Sequence, residues 1–221
     1  PVVDNEDRLV GIITFDDILD VIEEENTEDM ERMGGVIDNT DKDYLDTPVL
    51  MHVKARLPWL LVLMVSYVFT GGMIASFEKS LSAVIALVAY MPMLMGTGGN
   101  SGTQSSTVII TGMATGDLEL SDVLRVLWKE FRIGIIVGIC VSILNYMRIV
   151  AFDHNGSLVA LTVCLSMVLI VIIAKCIGAL LPMIAKKIGI DPALIAGPMM
   201  ASLTDMVALG TYFTMARLVL K

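Results

Sequence analysis

Histidine and cysteine are scarce in this chain of 221 residues: His52 and His154, then Cys140, Cys164 and Cys176. The two histidines lie at opposite ends of apolar segments. The three cysteines sit inside such segments, odd in number and without metal-ligand spacing, so buried free thiols are expected and tight soft-metal sites are not. H-E-x-x-H is missing, as is a G-x-G-D-like context for an intramembrane aspartyl protease, which removes two ways of being an enzyme. Bases are nearly missing from the start. Residues 1–48 hold 16 of the 24 acids with only Arg8, Arg32 and Lys42, a net charge of −13 that excludes nucleic acid and anionic lipid as partners of this region. There is no initiator Met and no cleavable signal peptide. The chain opens at Pro1 in what reads as mid-domain, and a longer parent protein is expected.

Apolar residues make up 55% of the chain, and mean hydropathy is +0.75, so the expected class is an all-α membrane protein. Residues 49–221 carry +4, and the change of solvent falls near Pro48. Five apolar segments, each near the ~20 residues a bilayer needs, are expected to span: Leu57–Phe77, Leu81 to about Gly112, Ile133–Phe152, Ser157–Ile184 and Pro192–Ala216. Trp59 stands like an interfacial anchor, and Glu78–Lys79 makes a tight hairpin between the first two spans. Gly116–Lys129 reads as an amphipathic connector, and Asp153–Gly156 as a short turn. With the acidic region in the cytoplasm, the inner ends carry Lys54, Arg56, Arg125, Lys129, Arg132, Lys186 and Lys187 against Lys79, Arg148, Arg217 and Lys221 outside. This positive-inside balance puts the C-terminus outside the cell membrane.

The first 22 residues read as the close of a small α/β unit. Val2–Val3 and Leu9–Ile13 form a hairpin, then Thr14 caps a helix with Asp17 in the capping-box position. Residues 23–56 form an acidic connecting helix and linker. Glu24, Glu25, Glu28, Asp29 and Glu31 crowd two turns, which favours a solvated linker unless a counter-charge such as a divalent metal joins them. Residues 57–221 form the membrane domain.

Within it, Pro92–Gln104 (P-M-L-M-G-T-G-G-N-S-G-T-Q) combines a helix-breaking proline, four glycines and the amides of Asn100 and Gln104. Non-helical backbone at membrane depth is tolerated where it is buried or lines a cavity, so a broken second span lining a pathway is expected here. Close helix packing would explain the glycines alone. Asp205 lies near the middle of the fifth span, where a carboxylate costs at least ~2.5–3.5 kcal/mol and marks an ion path; its other explanation is a pair with Lys175. Ala201, Ser202 and Ala208 leave room beside it. Doubled by a twofold axis and joined by oxygens from Gly96–Asn100, it suits a hard cation that keeps its waters, such as Mg²⁺. Asp191 in G-I-D-P-A is an N-cap or, with the acidic linker, one side of a shared metal site.

Gly96–Gln104, G-I-D-P-A at 189–193 and the Thr204–Asp205 pair together resemble the MgtE family of magnesium channels, over essentially the whole chain. The resemblance implies a homodimer in the lipid bilayer with five spans per subunit and a pore on the twofold axis, lined by the second and fifth spans. It implies that residues 1–22 end a CBS domain and that a plug helix follows. Asp205 would select the ion, with Gly96 and Asn100 beside it. Asp17, Asp20, Glu25, Glu28, Asp29 and Asp191 would bind regulatory Mg²⁺ that closes the pore. The alternatives are a broader carrier of Mn²⁺ or Co²⁺, and a membrane sensor that conducts nothing.

Overall fold

The computed structural model describes residues 1–37, 44–77, 85–153 and 157–220. Strand β1 (Val2–Val3) pairs antiparallel with β2 (Leu9–Gly11). Their turn is held by Asp4, whose Oδ1 accepts from the backbone N–H groups of Glu6 and Arg8 at 2.8 and 3.0 Å. Helix α1 (Phe15–Met33) starts at Thr14, and the capping box with Asp17 forms as its residue types require. The helix then runs unbroken through the acid-rich turns, so residues 22 and 23 lie within one continuous helix. Its charge repulsion is offset at the end by Arg32, which pairs with Glu28 one turn earlier. Gly35, at φ +74°, ends the segment in the left-handed region against the Trp59 ring, where any Cβ would collide. Trp59 therefore packs into this junction.

Five long helices follow among the described residues: α2 (Val49–Ser76), α3 (Met91–Ala114), α4 (Val123–Arg148), α5 (Ser157–Lys187) and, after the four-residue α6 (Ala193–Ala196), α7 (Pro198–Val219). By length and composition, three segments among the described residues can cross a membrane: Val49–Ser76, Leu120–Asp153 and Ser157–Lys187. Helices α3 and α7 fall outside that set because glycine and polar residues dilute their apolar content. Helix α5 is the hub, packing on α3, α4 and α7, while α2 lies at the edge against α7. Val163, Met167 and Ile170 of α5 form one buried cluster with Leu94 of α3 and Leu209, Tyr212 and Phe213 of α7, and Val171 and Ala174 of α5 are buried as well. Hydroxyls on these helices bond back to the carbonyl four residues earlier, as at Thr97, Thr162, Ser166 and Thr204, so few enter the core unsatisfied.

The glycine stretch differs from expectation. Gly96 through Gln104 is regular helix within α3, and the irregular backbone lies just ahead of it, in a 3₁₀ turn over Ile85–Tyr90. Pro92 occupies the first turn of α3, where its missing N–H breaks no helical bond. Glycine here serves close packing: a Cβ on Gly178 of α5 would collide with the backbone oxygen of Gly102. The last apolar segment is the one interrupted, at Gly197 between α6 and α7. The connector expected over 116–129 is already α4 from Val123 onward. Cys164 is buried as expected, but Cys140 is exposed on the outer face of α4. The Glu78–Lys79 hairpin, most of the Asp153–Gly156 turn and Lys221 lie outside the described residues.

Candidate functional site: an aspartate facing a polar helix stripe, and a charged mouth

Helix α3 has two unlike faces. Gly98, Gly99 and Gly102 are buried against α5 and α7, and Ser105 and Ser106 are buried too. Pro92, Gly96, Asn100 and Gln104, spaced by four, form an exposed stripe of small and amide groups. Nothing lies within 4 Å of where a Gly96 Cβ would be.

Helix α7 runs antiparallel to α3. Gly98 faces Ala208 and Thr204, and Gly102 faces Thr204 and Met200, so closely that a Cβ on either glycine would lie 2.9–3.8 Å from them. That register sets Asp205 at the level of Gly96–Asn100, one turn beyond Ala201, whose Cβ lies 3.9 Å from the Gly99 position. Asp205 is half-buried, and among the described residues it has neither an ion pair nor a hydrogen bond. The pairing with Lys175 does not occur. The Lys175 Nζ instead donates to Ser105 Oγ at 3.4 Å. An unpaired carboxylate beside small residues and an amide stripe can hold a cation through its own oxygen and through water.

The second cluster lies where α1 meets α6. The Arg32 guanidinium contacts Glu28 and Asp191 together, and the other Asp191 oxygen accepts from the Ala193 N–H at 2.9 Å. Asp191 is thus a local cap and a long-range partner at once. Asp29 stands beside them. Burial raises its carboxyl above the usual value, Asp191 adds to the rise, Arg32 opposes it, and Glu28 again raises it. The Met33 carbonyl closes on Gly197, where any Cβ would collide with it, so α1 ends on the break between α6 and α7.

Of the expected regulatory acids, Glu28, Asp29 and Asp191 converge. Asp17, Asp20 and Glu25 are exposed along α1. Asp17 is taken up by its cap, accepting from the Thr14 N–H at 2.7 Å and hydroxyl at 2.6 Å; the hydroxyl first and the N–H second hold its carboxyl below the usual value. No three His, Cys, Asp or Glu groups among the described residues gather closely enough to hold a metal by themselves. At the mouth, the cation in place is Arg32.

Sequence reasoning overlooked Glu130, which is 7% exposed and accepts a 2.6 Å hydrogen bond from Ser105. Its signal was an acid directly after the expected connector. At the other end of the bundle, Tyr90 donates to Asp153 at 2.8 Å, and Arg148 pairs with the same carboxylate at 3.4 Å.

Residues 91–215, from α3 to near the end of α7, match the family model MgtE, described as a divalent cation transporter. The chain is 43% identical to the magnesium transporter MgtE of Thermus thermophilus over 100% of its own length and 48% of the relative. It is 36% identical to that of Bacillus subtilis, over 98% of the chain and 47% of the relative. Against the magnesium transporter MgtE of Enterococcus faecalis it is 31% identical, over 100% and 48% respectively. The chain therefore spans about half the length of these relatives. The family is one of transporters, so the enzymatic reading falls away, and this chain belongs to the MgtE family of divalent cation transporters.

Proposed function

We propose that this chain forms the pore part of a Mg²⁺ channel in the cell membrane, acting as a homodimer with five spans per subunit. Helices α3 and α7, too polar to qualify as spans on composition, are the two that line the pathway. The observation that carries this reading is Asp205: a half-buried carboxylate in an apolar bundle, without a protein partner among the described residues, level with the Gly96–Asn100 stripe. A deep carboxylate with no counter-ion is costly to retain and belongs to an ion path. Two of them across a twofold axis suit an ion that keeps part of its hydration shell, as Mg²⁺ does.

The acidic N-terminal region is the gate, cytoplasmic and derived from a CBS domain whose end is residues 1–22, with α1 as the plug helix. Rising Mg²⁺ favours the closed arrangement by joining Glu28 and Asp29 to Asp191, with Glu25, Asp17 and Asp20 contributing further sites along α1. The C-terminus lies outside. The test is Mg²⁺ flux into proteoliposomes: Asp205→Asn abolishes uptake while the protein stays folded, and flux equal to the parent's would refute the pathway.

A further inference from the structure

Helices α3 and α4 both pack on α5, and a cleft of about 980 Å³ opens between them, lined by Asn100, Gln104, Glu130 and Lys175 among others. Two buried charges of opposite sign stand in its wall, Glu130 at 7% and Lys175 at 6% exposure. They do not touch. The ammonium donates to Ser105 Oγ at 3.4 Å, and the same hydroxyl donates to Glu130 Oε2 at 2.6 Å. Among the described residues they form no direct ion pair, and the Ser105 hydroxyl bridges the two. The rest of the polar lining is neutral oxygen and amide from Asn100, Thr103, Gln104 and Thr107, together with one further base, the exposed Lys129. A carboxylate with hydroxyl and amide oxygens around an open cavity is the donor set of a hard cation. A lone carboxylate so buried would be untenable without a positive charge.

We propose that this cleft is a second cation site, distinct from Asp205, and that the Lys175 ammonium is its resident cation. The lysine supplies one positive charge where a free metal ion would otherwise bind, and it keeps the flank of the α3 stripe from trapping a divalent ion. Removing the ammonium exposes Glu130 and Ser105 to a hard divalent cation, Mg²⁺ or its spectroscopic substitute Mn²⁺. The site would stand even if the pathway through Asp205 did not.

The experiment counts bound Mn²⁺ by electron paramagnetic resonance on the purified chain in detergent, in an Asp205→Asn background so that the pathway carboxylate does not contribute. Adding Lys175→Gln is expected to create one further Mn²⁺ site per chain, at least tenfold tighter than anything the background binds in the cleft. Adding Glu130→Gln as well removes it. A folded Lys175→Gln protein that binds no more Mn²⁺ than its background overturns the proposal. Where Lys175→Gln does not fold in plain buffer, recovery of a monodisperse protein in millimolar MgCl₂ but not in NaCl of equal ionic strength supports the proposal. Failure at every Mg²⁺ concentration, with Glu130→Gln/Lys175→Gln folding normally, overturns it.

Discussion

Arg32 and Asp191, 159 residues apart in sequence, form the ion pair that ties the end of α1 to the start of α6. The same guanidinium also holds Glu28, so one fixed cation already does part of what a divalent ion would do between these carboxylates. The mouth is not a bare cluster of like charges that flies apart when Mg²⁺ is withdrawn. It is a cluster with one tethered positive charge, which Mg²⁺ must displace or join if the proposed gating holds.

Arg32→Gln separates these contributions. The pair is partly exposed, with side chains at 34% and 25%, so its coupling is about 1 kcal/mol. In EDTA, the amides of the last turn of α1 are expected to exchange with deuterium roughly fivefold faster than in the parent. In saturating Mg²⁺ the difference shrinks, because the metal replaces the lost charge and no longer competes with it. Equal exchange of parent and variant in EDTA would show that the pair does not hold α1.

Asp29 gives the mouth a pH dependence of unusual sign. Most paired carboxylates are lowered on folding, and stability is lost as pH falls. Asp29 is raised, chiefly by burial, so the docked form binds its proton more tightly than the free form does. Docking of α1 without metal therefore strengthens as pH falls from neutral through the raised value, and that gain is complete below the value of the undocked chain. Asp29→Asn gives the tighter docking already at neutral pH and removes this part of the pH dependence. With Mg²⁺ present the order is expected to reverse, since under the proposed gating the variant lacks a ligand. The check is a pH series of α1 amide exchange with EDTA or with MgCl₂; one unchanged order in both would remove Asp29 from the metal response.

Much of this was legible in the residues. Thr14 with Asp17 announced the start of α1, and long runs such as Ser157–Ile184 announced a helix whatever its neighbours did. Asp205 stood out because a mid-span acid has few innocent explanations, and its one innocent partner, Lys175, is engaged elsewhere. The glycine stretch misled because glycine and proline carry two messages. Between exposed turns they break a helix; in the first turn and along a buried face they let helices approach, and the choice depends on neighbours such as Gly178 that lie far away in sequence. Glu130 was hidden for a similar reason. Only packing on α5 turns an acid at the edge of a connector into a buried one.

That double meaning of glycine leads to a paired test. Gly178→Ala forces a methyl group into the backbone oxygen of Gly102, where no side-chain rotation can make room. The α3–α5 contact must part, at a cost of about 1–3 kcal/mol or more, and the melting temperature in detergent falls by several degrees. Gly96→Ala meets nothing within 4 Å in the single chain, so its melting temperature stays near the parent's. If the Gly96 face lines the pathway across the dimer, the added methyl group narrows it, and Mg²⁺ flux falls several-fold without loss of stability. A Gly96→Ala protein that is both stable and fully active would take Gly96 off the pathway while leaving Asp205 to be judged by its own variant. A Gly96→Ala protein as unstable as Gly178→Ala would instead mark that face as a packed contact between subunits.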